Sequence, residues 1–140
     1  MDIKTKNSCY TYFSIKGNFD PDEITKVLDL KPFKVVKIGD KRRDGKLFDF
    51  ARWDFNKCDN YNPIVEKQME EVIKPLISKI DILKNIMANN DVTFTLEVVP
   101  HVYVNDIAPA LAPSLDVIDF CHETRTNIDI DLYIYENEED

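Results

Sequence analysis

The side chains best suited to binding or catalysis lie near the C-terminal end of the chain, where acids and phenols alternate with aliphatic residues. In the stretch 127–135, Asp129, Asp131 and Tyr133 fall at every second position, and Ile or Leu residues fall between them. A period of two is typical of a half-buried strand with an apolar side toward a core and a polar side toward water or a partner. The sequence therefore predicts one strand over 127–135 that presents carboxylates and phenols on one face.

Two other predicted strands carry the same kinds of side chain on their polar side. The strand Cys9–Ile15 has Tyr10 and Tyr12 outward, and the strand Val92–Val99 has Glu97 outward. If all helices pack on the opposite side of the sheet, these side chains share one exposed face. Tyr residues with acids around them are typical of binding hot spots. The predicted partner-binding residues are Tyr10, Tyr12, Glu97, Asp129, Asp131 and Tyr133.

Carboxylates on one face could also bind a metal or act as an acid–base pair. Glu97, Asp129 and Asp131 supply the oxygen ligands that Mg²⁺ or Ca²⁺ prefers, and two carboxylates can hydrolyse a glycosidic bond. The side chains of Asp129 and Asp131 should be about 7 Å apart along a strand, and no loop surrounds a cation. A flat sheet also lacks the dry cleft that shifts carboxyl pKa values. We therefore expect no metal, no cofactor and no catalytic residue.

The cysteine and histidine residues do not form a pattern that indicates catalysis. Cys121 and His122 are consecutive residues of a predicted helix, so their side chains point about 100° apart. His101 has no Cys or His at the spacing of metal ligands. Three scattered cysteines, an odd number, are no disulfide framework and are typical of a reducing cytosol.

A second candidate patch is the basic turn between the second and third predicted strands. It could bind a phosphate or an acidic surface, although it lacks the glycine spacing of a phosphate loop, and a solvated hairpin turn explains it equally. Trp53 follows this turn and is either part of the patch or an anchor of the core. The residues of this possible patch are Lys37, Asp40, Arg42, Arg43 and Trp53, and Lys41 and Lys46 add charge to the turn.

Composition limits the classes of partner. The 140 residues are 44% hydrophobic, which is enough for one domain over 1–140. A formal net charge of −8 argues against nucleic acid and anionic membranes as partners, and it favours a basic protein. No run of about 18 apolar residues predicts a membrane span. Residues 1–7 have no apolar core of a signal peptide, so we expect a cytoplasmic protein.

The order of elements predicts an α+β fold. A ferredoxin-like β-α-β-β-α-β core followed by an extra α-β unit should give a mainly antiparallel five-stranded sheet with helices on one face. Strand 2 is predicted over Phe33–Ile38 and strand 3 over Leu47–Phe55. In strand 3 either of the two alternating sets of residues could be the buried one. The loop Pro100–Pro113 precedes the last helix, and an acidic tail follows the last strand.

The helices show clear start signals. Asp20 should cap the first helix at Pro21, with Ile24, Val27 and Leu28 buried. Apolar positions then recur at helical spacing from Pro63 to Ala88. One straight helix of that length would span about 39 Å, longer than a nine-residue strand of about 30 Å. Because Pro75 removes a hydrogen bond, we predict a kink or break between Pro75 and Asp81. Ser114 should cap the last helix, which buries Leu115, Ile118 and Cys121.

Several segments resemble a family known as domain of unknown function 4279. They follow one another over almost the whole chain, and they are Tyr12–Ile15, Phe19–Thr25, Leu28–Pro32, Lys37–Asp40, Trp53, Pro113–Ile118 and Asp129–Tyr133. The resemblance implies a stand-alone bacterial cytosolic domain and carries no established activity. Small acidic bacterial domains of this kind are often immunity proteins, which is an analogy of fold and composition.

These observations predict a non-enzymatic protein that binds a basic protein partner through its acidic, Tyr-bearing sheet face. The specific hypothesis is an immunity-type protein. The alternative is a small-molecule sensor or enzyme with a pocket between the long helix and the Pro100–Pro113 loop. An RNA-binding sheet is a third hypothesis, but Glu97, Asp129 and Asp131 would repel phosphate. The sequence leaves open whether the protein is a monomer or a dimer.

Overall fold

The computed structural model describes residues 5–136 and confirms an α+β fold built on one mainly antiparallel sheet. The acidic tail from residue 137 onward lies outside the described residues. Six strands are present where five are predicted. The elements are β1 (Ser8–Asn18), α1 (Pro21–Leu28), β2 (Lys34–Val36), β3 (Ala51–Cys58), α2 (Val65–Ile73), a 3₁₀ segment (Lys74–Lys79), α3 (Ile80–Asn89), β4 (Asp91–Tyr103), α4 (Leu115–Thr124), β5 (Asn127–Ile130) and β6 (Tyr133–Tyr135).

The sheet has the strand order β2-β3-β1-β4-β5, and β6 pairs with β4 beyond the end of β5. The neighbours among β1 to β4 are antiparallel. β5 and β6 both run parallel to β4, and α4 is the crossover that parallel neighbours require. The elements up to β4 follow one another along the chain in the β-α-β-β-α-β order of the ferredoxin-like plan.

Alternation along the central strands builds the core on one face only. Phe13 and Ile15 of β1 and Leu96 of β4 are fully buried against the helices. Trp53 of β3 is buried in the same core, stacks on Phe55 and donates its Nε1–H to Thr25 of α1. Trp53 is therefore a core anchor and cannot contribute to a surface patch.

The long helical stretch is interrupted where a break is predicted. α2 ends at Ile73, six residues form the 3₁₀ segment, and α3 begins at Ile80. Pro75 lies at the start of the 3₁₀ segment and has no N–H to continue the α-helical ladder. Leu76 is fully buried, so the core holds the interrupted turn in place.

The prediction of one nine-residue last strand is wrong. β5 ends at Ile130 and β6 begins at Tyr133, with Asp131 and Leu132 between them. The aliphatic side of the alternation meets the core only at Ile128, because Ile130, Leu132 and Ile134 are exposed. These two strands lie at the edge of the sheet. A periodic pattern within a strand does not show whether the hydrophobic core extends as far as that strand.

Two predicted helix faces also need correction. Of the residues predicted to be buried in α4, Leu115 and Ile118 are exposed, whereas Val117 and Phe120 are buried together with Cys121. Of those predicted to be buried in α1, Val27 is exposed. In each helix more than one face carries apolar residues, and the angle at which the helix packs on the sheet decides which face is buried. The predicted caps Asp20 and Ser114 are confirmed by their side-chain hydrogen bonds.

The bounds of two strands differ from the prediction. β3 begins at Ala51, so Phe48 and Phe50 lie in the preceding loop. β4 continues through Pro100 to Tyr103, which shortens the predicted loop. Pro100 is opposite Cys9 in the register of β1. No helix among residues 5–136 is both long and apolar enough to cross a membrane.

Candidate binding face

The face of the sheet that lies away from the helices is called the open face here. Because neighbouring positions on a strand point to opposite sides, the buried core positions determine which side chains it carries. Register also places Ser14 opposite Asp54 and Glu97 opposite Asp129 on this side. The open face includes Tyr10, Tyr12, Ser14, Lys16, Lys34, Val36, Arg52, Asp54, Lys57, Thr93, Thr95, Glu97, Val99, His101, Tyr103, Asn127, Asp129, Tyr133 and Tyr135.

A buried ion pair lies at the β1–β3 side of the open face. The Asp54 carboxylate is 1% exposed; it accepts hydrogen bonds from Ser14 Oγ at 2.7 Å and from Arg52 Nε at 2.9 Å. Arg52 also donates from Nη2 to the Tyr12 hydroxyl at 2.8 Å. This arrangement fixes the Arg52 side chain, because each of its contacts is itself held by a strand.

Two carboxyl groups meet at the β4–β5 side of the open face. Glu97 is nearly buried, and its neighbours are the Asp129 carboxyl and Lys16, whose Nζ lies 3.6 Å from Glu97 Oε1. Burial raises the pKa of Glu97, and the Asp129 charge raises it further, while Lys16 acts in the opposite direction. The single Lys16 ion pair therefore compensates the charge of these two carboxyl groups only in part.

A row of aromatic rings crosses the open face from β1 to β6. His101 stacks on Tyr133 with 5.0 Å between ring centroids, and its Nδ1 lies 2.7 Å from the Tyr135 hydroxyl oxygen. Tyr10 continues the row toward Tyr12, at 6.2 Å between centroids. Tyr103 stacks on Tyr135 at the far end. The rings of His101, Tyr133 and Tyr135 cover part of one another's faces.

Cations of the protein already lie over several of these rings. Lys57 Nζ is 4.5 Å from the centroid of Tyr10, and the Arg52 guanidinium is 5.9 Å from that of Tyr12. Lys57 reaches the open face because β3 has a bulge at this point, where Asn56 adopts a positive φ of 59°. Burial raises the pKa of Tyr12 to about 12. The faces of the Tyr10 and Tyr12 rings thus attract positive charge.

Five of the six predicted partner-binding residues come together on the open face. They are Tyr10, Tyr12, Glu97, Asp129 and Tyr133. Asp131 lies in the break between β5 and β6, and its carboxylate accepts a hydrogen bond of 3.2 Å from the Tyr133 hydroxyl. That bond and the Asp131 charge raise the pKa of Tyr133. Asp131 therefore borders the open face rather than standing on a strand within it.

Several residues of the open face were missed from the sequence. The sequence prediction places His101 in the loop Pro100–Pro113, although the alternation of Glu97 and His101 is consistent with a longer β4. The face of Arg52 and Asp54 is open in the prediction, because Phe48–Phe55 alternates in two equivalent ways. The bulge that brings Lys57 to this face has no clear signal in the sequence.

The possible second patch is dispersed. Lys37 forms an ion pair with Asp22 at 2.6 Å, and Arg42 lies 3.4 Å from Asp44. Asp40 accepts a hydrogen bond from the backbone N–H of Lys37, which closes the turn. Trp53 is buried in the core. The exposed remainder is a basic hairpin turn without an enclosed site.

The buried thiols are poor nucleophiles. Burial raises the pKa of Cys9 and of Cys121 to about 11 in each case. Within the part of the chain that the structure describes, no three His, Cys, Asp or Glu side chains are arranged to hold a metal ion. The open face is a polar and aromatic surface of the sheet.

The comparison with protein families matches residues 7–135 of the chain to the family described as Domain of unknown function (DUF4279). The chain belongs to this family. The match covers all six strands and all four helices, so the open face is part of the shared domain. No curated protein and no solved structure shows a significant match.

Proposed function

We propose that this DUF4279 domain is a bacterial cytosolic protein-binding module whose open face binds a basic protein, in the manner of an immunity protein. The observation that carries the proposal is the juxtaposition of the aromatic row with the incompletely compensated pair Glu97 and Asp129. Aromatic residues supply much of the affinity at protein interfaces. Complementary charge speeds association and selects the partner.

The cations that already lie over Tyr10 and Tyr12 support a basic partner. A partner's Arg or Lys side chain could pair with the Asp131 carboxylate, for which the chain supplies no cation within ion-pair distance among its described residues. The stacking of His101 on Tyr133 leaves ring edges outward, which suits a protein surface better than the flat face of a nucleobase.

The proposal is tested by charge reversal on the open face. A pull-down from the source cells with the wild type identifies a stoichiometric partner, and the purified pair is then titrated. Asp129→Lys combined with Asp131→Lys should weaken the affinity roughly tenfold or more, since two attractive charges become repulsive. The matched control is Glu71→Lys combined with Asp81→Lys, which makes the same change in net charge on exposed helical positions.

The control should bind the partner as the wild type does, and the partner should carry a basic surface. An acidic partner, or an affinity that the open-face variant does not change, would show that the face is assigned wrongly.

A second candidate function is the binding of a small apolar molecule. The loop after β4 is joined to the start of α2, where Ala110 N–H donates to the Pro63 carbonyl at 2.8 Å. A groove of about 310 Å³ lies on the other side of this loop, against Leu132 and Ile134. Its mainly apolar lining favours an apolar ligand. A ligand found there in the purified protein would favour the sensor or enzyme hypothesis.

A further inference from the structure

Positive and negative charge are separated along this chain. Residues 31–47, called the basic segment, contain seven Lys or Arg and two Asp residues, a net charge of +5 in a protein of net charge −8. Residues 114–136, called the acidic segment, contain six Asp or Glu and one Arg residue, a net charge of −5. The two segments are separated by more than sixty residues in sequence, so only the fold determines how they lie.

The sheet places the two segments at its opposite edges. β2 belongs to the basic segment and forms one edge, while β5 and β6 belong to the acidic segment and form the other. Four strand spacings of about 4.8 Å separate β2 from β5, roughly 19 Å in all. α4 also belongs to the acidic segment, and it packs against α2 and α3. The acids on or beside the edge strands themselves are Asp129, Asp131 and Glu136.

The charges at both edges are largely uncompensated. In the basic segment Lys37 pairs with Asp22 and Arg42 with Asp44. The five other cations form no ion pair within residues 5–136, and neither does any acid of the acidic segment. The unpaired cations are Lys31, Lys34, Lys41, Arg43 and Lys46.

Both edges also expose aliphatic and aromatic side chains. Of sixteen exposed large hydrophobic residues in the described chain, eleven lie in the two segments. Such clusters at a strand edge are typical of surfaces that another chain covers. They are Phe33, Val35, Ile38 and Leu47 in the basic segment, and Ile130, Leu132, Tyr133, Ile134 and Tyr135 at the acidic edge, while Leu115 and Ile118 of the acidic segment lie on α4.

We infer that copies of this chain associate head to tail, the basic edge of one copy against the acidic edge of the next. Each molecule carries both complementary surfaces, so a second copy is the partner whose charge fits both. β2 and β5 each pair with a single strand of the sheet, which leaves backbone groups for a further strand. A heterologous contact of this kind forms a ring or a filament. It uses the sheet edges and goes beyond the proposed binding of another protein on the open face.

The test is analytical ultracentrifugation of the purified full chain over a range of concentrations. Two variants neutralise one edge each: Lys41→Gln, Arg43→Gln, Lys46→Gln for the basic edge and Asp129→Asn, Asp131→Asn, Glu136→Gln for the acidic edge. Each should lower the association constant roughly tenfold, since three exposed attractive charges are lost. The matched control, Lys26→Gln, Lys67→Gln, Lys74→Gln, neutralises three exposed cations on the helices and should associate as the wild type does.

Mixing the two edge variants separates this contact from other kinds of association. Each variant keeps one intact edge, so the mixture should form a 1:1 dimer that cannot extend. Salt of about 0.1 M screens the long-range repulsion between two acidic molecules, whereas about 1 M should also weaken the contact.

The inference is overturned if the wild type remains monomeric at every concentration. Binding of a different acidic molecule to the basic edge of a monomeric protein would overturn it in the same way. It is equally overturned if the basic-edge variant associates as the wild type does. The basic-edge variant leaves the open face unchanged. Loss of self-association with retained capture of a basic partner therefore separates this contact from the proposed function.

Discussion

Asp54 is the residue on which the local order of the open face depends. Its carboxylate is buried on the side of the sheet without helices, and it accepts hydrogen bonds from Ser14 and Arg52. A buried charge costs several kcal/mol unless it is paired and hydrogen-bonded. Arg52 therefore has a structural role in addition to any contact it makes with a partner.

The role of Arg52 can be measured by removing its charge. Arg52→Leu should lower the free energy of unfolding by about 2–3 kcal/mol, because it leaves the Asp54 carboxylate buried with Ser14 as its remaining hydrogen-bond partner. Lys57→Leu is the matched control. It removes an exposed cation that lies over Tyr10 on the same face, and it should cost less than about 0.5 kcal/mol. Urea unfolding of both variants checks this, and equal losses would contradict the structural role.

At the scale of elements, the interrupted helix shows how local sequence and packing agree. Pro75 ends the α-helical ladder of α2, and the 3₁₀ segment turns the chain before α3 begins. Leu76 faces the core from within this segment, whereas the neighbouring Ile77 is 50% exposed. Packing rather than helical hydrogen bonding should therefore stabilise the segment.

Truncation of these two neighbours tests that conclusion. Leu76→Ala should lower the free energy of unfolding by about 2–5 kcal/mol, since it removes buried methyl groups and leaves a cavity. Ile77→Ala should cost less than about 1 kcal/mol, because half of its surface already contacts water. Urea unfolding of both variants gives the comparison. Similar losses would show that the segment does not dock as described.

β5 and β6 show where pattern reasoning on an element fails. The alternation over 127–135 is regular and predicts a strand with an aliphatic side in a core. Instead the strand breaks at Asp131 and Leu132, and its aliphatic side is exposed beyond Ile128. Alternation reports only that the two faces of a strand differ. Whether a core lies under one of them depends on the neighbouring helices.

At the scale of the molecule, one hydrophobic cluster joins residues of all four helices and of β1, β3 and β4. The single tryptophan lies within it, fully buried and stacked on Phe55. A chain with one continuous core should unfold as one cooperative unit. Trp53 therefore reports on the whole molecule rather than on its own strand.

Two probes of unfolding test this cooperativity. Urea transitions followed by Trp53 fluorescence and by far-ultraviolet circular dichroism should have the same midpoint, because loss of the core and loss of the helices are one event. Lys57→Leu, which removes an exposed cation and leaves the surroundings of Trp53 unchanged, is the control. Separate midpoints would indicate that part of the sheet or a helix unfolds independently.

Local and compositional signals in the sequence by themselves determined the α+β class, the element order, the caps at Asp20 and Ser114, the break after Pro75 and the membership suggested by the ordered motifs. Each of these depends on backbone chemistry or on periodicity within one element. Tertiary structure alone decided that Arg52 and Asp54 share the open face, that His101 joins the aromatic row, and that the basic and acidic segments form opposite edges. Those relations depend on strand register, a bulge and the order of strands in the sheet. They join residues far apart in sequence, and a single sequence holds no local signal for them.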